Sequence, residues 1–200
     1  MTEDEARARI VERYGSIAAE RVATFLHCVA TENAVQNLIS PASISEIWAR
    51  HAVDSEQLLD FAPAGWKNWL DVGTGGGFPG MIVALLGGGT VTMVEPRRKR
   101  ATFLQQCVVR FGLDARVEQA KVEALAIPAD VISARAVSSV ENLLHAAAGC
   151  ATKRTTWLLP RGRSIGADLA TLPHNLAMFH VEHSITDPES SVLVIRGNGS

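Results

Sequence analysis

The apolar residues in the first part of the chain recur at the spacing of helices. Residues 2–30 carry two apolar stripes of this kind with Gly15 between them, so the pattern predicts two consecutive helices. Residues 43–61 show the same spacing and predict a further helix. We therefore expect residues 1–65 to form a helical extension packed on the rest of the protein.

From residue 66 onward, short apolar runs typical of β-strands alternate with runs typical of helices. This alternation indicates an α/β fold with a parallel, doubly wound sheet. The last two predicted strands are joined by a short connection, which indicates an antiparallel hairpin at the sheet edge. The predicted strands span 68–72, 90–95, 115–118, 130–134, 155–160, 175–183 and 191–196, and the predicted helices span 79–86, 97–111 and 138–149. We expect residues 66–197 to be the core of a single structural domain.

Composition and charge argue against several classes of protein. The formal net charge of -2 gives no global attraction to nucleic acid or membrane, so binding of a polyanion requires a local basic patch. The cysteines Cys28, Cys107 and Cys150 form no paired motif, and we expect neither a disulfide framework nor a bound metal. The N-terminus lacks the apolar core of a signal peptide, and no run of about 18 apolar residues is present. We expect a cytoplasmic protein without membrane contact.

A glycine-dense turn follows the first predicted strand. Gly73, Gly75 and Gly77 lie between an apolar strand end and the apolar run of residues 81–86. Glycine lets the backbone turn sharply and approach a ligand closely, because no Cβ atom blocks it. In open α/β sheets, a loop of this kind between a strand and a helix binds a nucleotide-like ligand.

Two cofactors compete for this loop. Gly75-x-Gly77-x-x-Gly80 matches the dinucleotide fingerprint, and Glu95 lies 20 residues after Gly75, where a carboxylate binds ribose; this favours an NAD-dependent oxidoreductase. Asp71, however, lies directly before the loop and would repel a pyrophosphate. A carboxylate there suits S-adenosylmethionine, which has no phosphate and carries a sulfonium and an ammonium. We favour the second cofactor, and both alternatives stay open at this point.

Two further segments are expected at the same edge of the sheet. Val122 and Glu123 follow the third predicted strand, where they can reach an adenine ring. Arg135 follows the fourth predicted strand. Because ligands of open α/β sheets bind at the C-terminal ends of the strands, Arg135 is a candidate functional residue.

Five segments together resemble the bacterial family of small-subunit ribosomal RNA guanine-N7 methyltransferases, called RsmG or GidB. The resemblance covers the chain from Asn37 to about Arg196. It is carried by Asn37-Leu38-Ile39-Ser40, Arg50-His51-x-x-Asp54-Ser55, residues 71–80 (DVGTGGGFPG), Lys99-Arg100-x-x-Phe103-Leu104 and Ile132-Ser133-Ala134-Arg135-Ala136. The histidine-containing segment placed before the glycine loop is more specific to this family than the loop alone.

The resemblance implies a Rossmann-like class I methyltransferase fold with a seven-stranded, mostly parallel sheet. It implies S-adenosylmethionine as methyl donor, S-adenosylhomocysteine as product, and N7 of one guanine in 16S rRNA as acceptor. The cofactor residues expected from the resemblance and the loop are Asp71, Gly73, Thr74, Gly75, Gly77, Phe78, Glu95, Val122, Glu123 and Arg135. The family has Lys-Gly after the fifth strand, where this chain has Arg161-Gly162.

Methylation at guanine N7 needs no general base, because this nitrogen has a lone pair and no hydrogen. Positioning can therefore supply most of the catalysis. We expect Arg135, His51 and Asp54 to position the acceptor, since residues 51 and 54 share a face of a helix. The alternative is that His51 and Asp54 only dock the helices on the sheet.

Contact with RNA requires cations, because phosphates dominate the affinity. The candidate RNA-binding residues are Arg50, Arg97, Arg98, Lys99, Arg100, Arg161 and Arg163. We expect a monomer that acts on 16S rRNA in the small ribosomal subunit. A noncatalytic RNA-binding protein on the same fold is a further alternative.

Overall fold

A central β-sheet organises the molecule. The computed structural model describes residues 1–135, 139–162, 165–170 and 178–197. Its strands are β1 (Asn68–Val72), β2 (Thr90–Val94), β3 (Ala115–Glu118), β4 (Val131–Ser133), β5 (Thr156–Arg161), β6 (Met178–His183) and β7 (Ser191–Arg196). They lie in the order β3-β2-β1-β4-β5-β7-β6, with β7 antiparallel to both of its neighbours and the other pairs parallel. The predicted seven-stranded, mostly parallel sheet with a terminal antiparallel hairpin is confirmed.

The helices cover both faces of this sheet. They are α1 (Glu3–Gln36), α2 (Asp54–Glu56), α3 (Leu58–Phe61), α4 (Gly80–Leu86), α5 (Arg98–Phe111), α6 (Val140–Ala146) and α7 (Ile165–Ala170). Alternate strand residues point to opposite faces. Leu158 therefore packs in one apolar cluster with α1 and α4, and Leu159 packs in the other with α6. None of the helices in the described ranges is long and apolar enough to span a membrane.

The N-terminal helices differ from the prediction in one respect. Gly15 has φ 84° inside α1 and interrupts it, as the sequence predicts. The single regular helix predicted over residues 43–61 is wrong. The chain instead forms a 3₁₀ helix at Pro41–Glu46, a π-helix at Trp48–Val53, and then the short helices α2 and α3.

Charged residues tie α1 to this irregular segment. Glu56 is fully buried, and its carboxylate accepts hydrogen bonds from Arg9 Nε at 2.9 Å and Tyr14 Oη at 3.0 Å. Arg13 Nη1 lies 2.7 Å from the same carboxylate. Burial is the main cause that raises the pKa of Tyr14. A buried ion cluster contributes little net stability, but loss of one partner leaves a buried charge unpaired and is costly. The cluster therefore fixes the position of α1 against this segment. The division of the chain at residues 65 and 66 stays a prediction.

Candidate functional site

The glycine loop leaves the C-terminal end of β1 and crosses toward β2. The backbone N–H groups of Gly73 and Thr74 donate to the carbonyl of Val94 at 2.9 and 3.2 Å. Gly73 and Gly77 have φ values of 67° and 101°, which residues with a Cβ rarely adopt. A Cβ at Gly77 would also lie 2.7 Å from Phe25 Cζ of α1. The loop therefore depends on glycine both for its backbone conformation and for its contact with α1.

Asp71 lies beneath the loop. It is fully buried, and its Oδ2 accepts hydrogen bonds from the backbone N–H of Gly80 at 2.9 Å and from the Thr74 hydroxyl. Its Oδ1 accepts from Ser133 Oγ on β4 at 2.7 Å. Burial raises the pKa of Asp71 to about 6. The structure thus gives Asp71 a role in holding the loop, and its contact with a cationic ligand stays a prediction.

Glu95 lies beside the loop at the end of β2. Its Oε2 accepts a hydrogen bond from the backbone N–H of Gly75 at 3.1 Å, and its Oε1 accepts from the backbone N–H of Arg97 at 2.7 Å. A carboxylate fixed at this strand end is suited to accept hydrogen bonds from ribose hydroxyls. The structure therefore brings Glu95 and the loop together, as both predicted cofactors require.

The other predicted cofactor residues lie around the same edge. Val122 is buried in the apolar cluster that includes Val94, whereas Glu123 in the same 3₁₀ turn is exposed. Phe78 is buried, with its ring 5.5 Å from the ring of Phe25 and 4.8 Å from that of His51, between centroids. The Phe78 side chain therefore faces inward and connects the loop to the histidine.

Arg135 is the centre of a hydrogen-bonded group next to the loop. Its Nη2 lies 2.8 Å from His51 Nδ1, and its Nη1 donates to the carbonyl of Arg50 at 3.0 Å. The Arg135 Nη1 also lies 3.6 Å from Asp54 Oδ2. Its guanidinium carbon is 5.4 Å from the centroid of the Phe78 ring. The three predicted positioning residues, Arg135, His51 and Asp54, are thus brought together.

The contacts of His51 fix its protonation state. A guanidinium can only donate hydrogen bonds, so His51 Nδ1 accepts from Arg135 and carries no proton. His51 Nε2 then carries the proton and donates to Ser43 Oγ at 2.9 Å, while Ser43 Oγ donates to the carbonyl of Ser40 at 2.9 Å. Burial, followed by the charges of Arg135 and Arg50, lowers the pKa of His51 to about 3. The imidazole is neutral near pH 7.

A cleft of about 340 Å³ opens over this group. Its walls come from the segment after α1, from the π-helix, from the end of β4 and from the β6–β7 connection. The lining residues are Leu38, Ile39, Ser40, Ser43, Arg50, His51, Asp54, Arg135, Thr186, Asp187 and Ser190. Sequence reasoning missed the contribution of residues 184–190. Ser55, next to the predicted pair, is buried and donates to the His51 carbonyl at 2.6 Å instead of facing the cleft.

The described residues of the predicted RNA-binding set lie in three places. Arg97, Arg98 and Lys99 are exposed at the start of α5, and Arg100 is half-buried with its Nη2 donating to the Asn37 carbonyl at 2.9 Å. Arg50 is exposed at the rim of the cleft.

The remaining two predicted RNA-binding residues follow the fifth strand. Arg161 ends β5 and is half-buried. Arg163 lies outside the described residues.

The cleft suits a reaction without proton abstraction. The lone pair of His51 Nδ1 is occupied by Arg135, and the Asp54 carboxylate faces the same guanidinium. Neither group is therefore placed to act as a general base, which would need free access to the proton that it abstracts.

Comparison with known proteins identifies relatives over almost the whole chain. The family model GidB, described as rRNA small subunit methyltransferase G, matches residues 18–191. The ribosomal RNA small subunit methyltransferase G of Erythrobacter litoralis is 42% identical over 200 residues, covering 98% of this chain and 97% of that protein. The protein of the same name from Sphingopyxis alaskensis is 43% identical over 181 residues, covering 88% of this chain and 78% of that protein.

Solved structures with low sequence identity share the fold. A putative S-adenosylmethionine-dependent methyltransferase from Methanococcus maripaludis matches with a TM-score of 0.60 and 12% identity, covering 79% of this chain and 90% of that one. A Thermus thermophilus 16S rRNA N2 methyltransferase in complex with AdoMet and guanosine matches with a TM-score of 0.55 and 20% identity, covering 80% of this chain and 43% of that one. The predicted class I methyltransferase fold is confirmed.

Proposed function

The chain belongs to the rRNA small subunit methyltransferase G family, and we propose that it methylates N7 of one guanine in 16S rRNA with S-adenosylmethionine as donor. It is a methyltransferase of small-subunit ribosomal RNA. Membership of this family excludes the alternative of an NAD-dependent oxidoreductase. The observation that carries the proposal is the cleft beside the glycine loop, in which His51 is neutral and Arg135 and Asp54 are paired.

The donor site in this proposal is the glycine loop with the ends of β2 and β3. The residues fit the cofactor, because Glu95 is fixed where a ribose lies in this fold and the loop has no bulky side chain at Gly73, Gly75 or Gly77. When bound, S-adenosylmethionine supplies an electrophilic methyl group on a sulfonium. Val122 and Glu123 would flank the adenine.

The acceptor site is the cleft around Arg135. The reaction breaks the bond between sulfur and the methyl carbon and forms a bond from guanine N7 to that carbon. S-adenosylhomocysteine leaves neutral at sulfur, and the positive charge moves to the guanine; no proton is transferred. The neutral His51 adds no charge that would oppose this, and the Asp54 carboxylate offsets the positive charge of Arg135.

The basic start of α5 supports contact with RNA. Arg97, Arg98 and Lys99 lie at a helix N-terminus, where the helix dipole makes positive charge unfavourable by roughly 0.3–1 kcal/mol per group. A polyanion bound there would offset this cost. We propose that these residues, together with Arg50, Arg100, Arg161 and Arg163, bind phosphates around the target nucleotide.

The biological setting is also a proposal. The net charge of -2 predicts weak affinity for naked RNA, so we propose that the substrate is the assembled small subunit. We further propose that the protein acts as a cytoplasmic monomer, with residues 1–65 as an extension on the catalytic core of residues 66–197.

Mass mapping of 16S rRNA tests the proposal. Small subunits from a strain that lacks the gene are incubated with the protein and S-adenosylmethionine, and the modified nucleotide is then located. We expect one guanine to gain a methyl group at N7. A methyl group at another atom would disprove the proposed acceptor, and no incorporation would favour a noncatalytic RNA-binding protein.

A further inference from the structure

The β6–β7 connection forms one wall of the cleft. Because β7 runs antiparallel to β5, the start of β7 at Ser191 pairs with Arg161 at the C-terminal end of β5. Residues 184–190 therefore cross the same sheet edge at which β1 and β4 end. They contribute Thr186 and Ser190 to the lining of the cleft.

Gln57 attaches this connection to the helical segment. It is 1% exposed, and its Oε1 accepts a hydrogen bond from the backbone N–H of Ile185 at 3.1 Å. Its Nε2 donates to Ser184 Oγ at 3.2 Å and to Asp54 Oδ1 at 2.9 Å. One buried amide thus joins the wall of the cleft to Asp54.

Asp54 extends this contact to the centre of the cleft. Its Oδ1 also accepts a hydrogen bond from Thr186 Oγ1 at 3.1 Å, while its Oδ2 faces Arg135. A change at Gln57 would therefore alter both the wall and the carboxylate that is paired with Arg135. The side-chain hydrogen bonds of Gln57 go to Asp54, Ser184 and Ile185, and within the described residues none of them reaches the glycine loop or Glu95.

We propose that Gln57 is a positioning residue for the RNA acceptor, because it holds Asp54 and residues 184–186 in register across the cleft. This inference rests on the proposed function, in which the cleft takes the target guanine. A purely structural Gln57 would support the whole fold and would affect donor and acceptor alike. A positioning Gln57 affects turnover of the acceptor much more than binding of the donor.

Gln57→Met is the first test, because methionine keeps the length of the side chain and removes its hydrogen bonds. The matched control is Gln105→Met on the exposed surface of α5. Steady-state methyl transfer to unmethylated small subunits gives KM and kcat, and calorimetry gives the Kd for S-adenosylmethionine. For Gln57→Met we expect kcat/KM for the subunit to fall at least about fivefold, with the Kd for the donor within about twofold of wild type.

Gln57→Glu supplies a second readout. The titratable side chain in contact with Gln57 is Asp54. Beyond it, Arg135 is paired with Asp54, the neutral His51 is paired with Arg135, and Asp187 of the connection lines the same cleft. Burial and the neighbouring Asp54 carboxylate raise the pKa of the new carboxyl group. At pH 8 its ionised form repels Asp54, and as the pH falls to 5.5 its protonated form, which donates a hydrogen bond to Asp54 as the amide does, becomes more populated. We expect the kcat/KM of this variant, relative to wild type at the same pH, to rise as the pH falls.

The outcomes separate this inference from the proposed function. Wild-type-like kcat/KM in a folded Gln57→Met would overturn it, and so would an equal loss of donor and acceptor binding. Should Gln57→Met not fold, Ser184→Ala, which removes one contact of the same amide, is expected to lower kcat/KM for the subunit in the same selective way. If the wild-type protein does not methylate guanine N7, the proposed function is wrong, and this result is distinct from a failure of the inference about Gln57.

Discussion

Arg135→Ala is the sharpest test of the candidate site. The substitution removes the guanidinium that donates to His51 Nδ1 at 2.8 Å and to the Arg50 carbonyl at 3.0 Å. It also leaves the Asp54 carboxylate, with a side chain only 18% exposed, without the cation 3.6 Å away. All three groups line the cleft, so their displacement should change the site directly.

The expected size follows from these contacts. A hydrogen bond from a charged donor contributes about 1.5–3 kcal/mol, and two such bonds are lost. If half of the energy of one of these hydrogen bonds is used to hold the cleft in its reactive arrangement, its loss raises the activation barrier for methyl transfer by about 1 kcal/mol. The unpaired Asp54 adds to this, so we expect the rate of methyl transfer to fall by more than about tenfold, or about 1.4 kcal/mol.

Single-turnover methyl transfer measures this effect. The variant is mixed in excess with unmethylated small subunits and saturating S-adenosylmethionine, so that binding does not limit the rate. Arg135→Lys should recover little, because an ammonium cannot reach both His51 and the Arg50 carbonyl as the planar fork does. Arg116→Ala, on the exposed side of β3, is the matched control. A rate for Arg135→Ala within twofold of wild type would remove Arg135 from the site.

Two further predictions concern the loop and the basic surface. Gly77→Ala should lower the free energy of unfolding, measured in urea titrations, by about 2–4 kcal/mol. The φ of 101° at Gly77 and its close approach to Phe25 both leave no room for a Cβ atom. A loss below about 1 kcal/mol would contradict this prediction. Arg98→Ala combined with Lys99→Ala should weaken binding to the small subunit and reduce the slope of log K against log salt by about 1–2, with an unchanged slope as the contradicting result.

The sheet was largely predictable because its signals are local. Each parallel strand is a short apolar run, and the turn after β1 requires glycines that are visible in the sequence. Arg135 was predictable for the same reason, since it lies two residues after a strand that ends at the C-terminal edge of the sheet. Its contact with His51 could be anticipated only through the family resemblance, because the two residues are 84 positions apart.

The irregular helix before β1 could not be predicted from spacing. An apolar stripe has a similar period in α- and π-helices, so it does not reveal which of them forms. The π-helix at Trp48–Val53 begins where the Glu3 carboxylate accepts hydrogen bonds from the backbone N–H groups of Trp48 and Ala49, at 3.0 and 2.9 Å. That interaction spans more than 40 residues. π-Helical turns occur frequently at functional sites, and this one carries His51 into the cleft.

Asp71 illustrates a different limit of sequence reasoning. A carboxylate beside a glycine loop indicated a cationic ligand, and the reasoning assumed that the side chain faces the ligand. The hydrogen bonds from Gly80 and Ser133 hold it in a buried position beneath the loop, which the sequence did not indicate. The direction of a side chain at a strand end depends on the hydrogen-bond donors of the neighbouring strand. Here the donor is Ser133, which is 62 residues away in the sequence.

The burial of Asp71 and His51 leads to a last prediction about pH. Asp71 has a pKa of about 6 in the folded protein, above its ordinary 3.8, so the folded state retains a proton that the unfolded chain loses, and stability falls as pH rises from about 3.8 to 6. His51 has a pKa of about 3, below its ordinary 6.5, so the unfolded chain binds the extra proton and stability rises with pH from about 3 to 6.5. The two slopes oppose each other between pH 4 and 6.

In Asp71→Asn only the His51 slope remains, so its stability should rise more steeply than that of wild type over this range, by up to about 1.4 kcal/mol per pH unit. Urea titrations at pH 4, 5 and 6 measure the difference in free energy of unfolding between the variant and wild type. The contributions of the other titrating groups cancel in this difference. Parallel dependences on pH for the two proteins would refute the prediction.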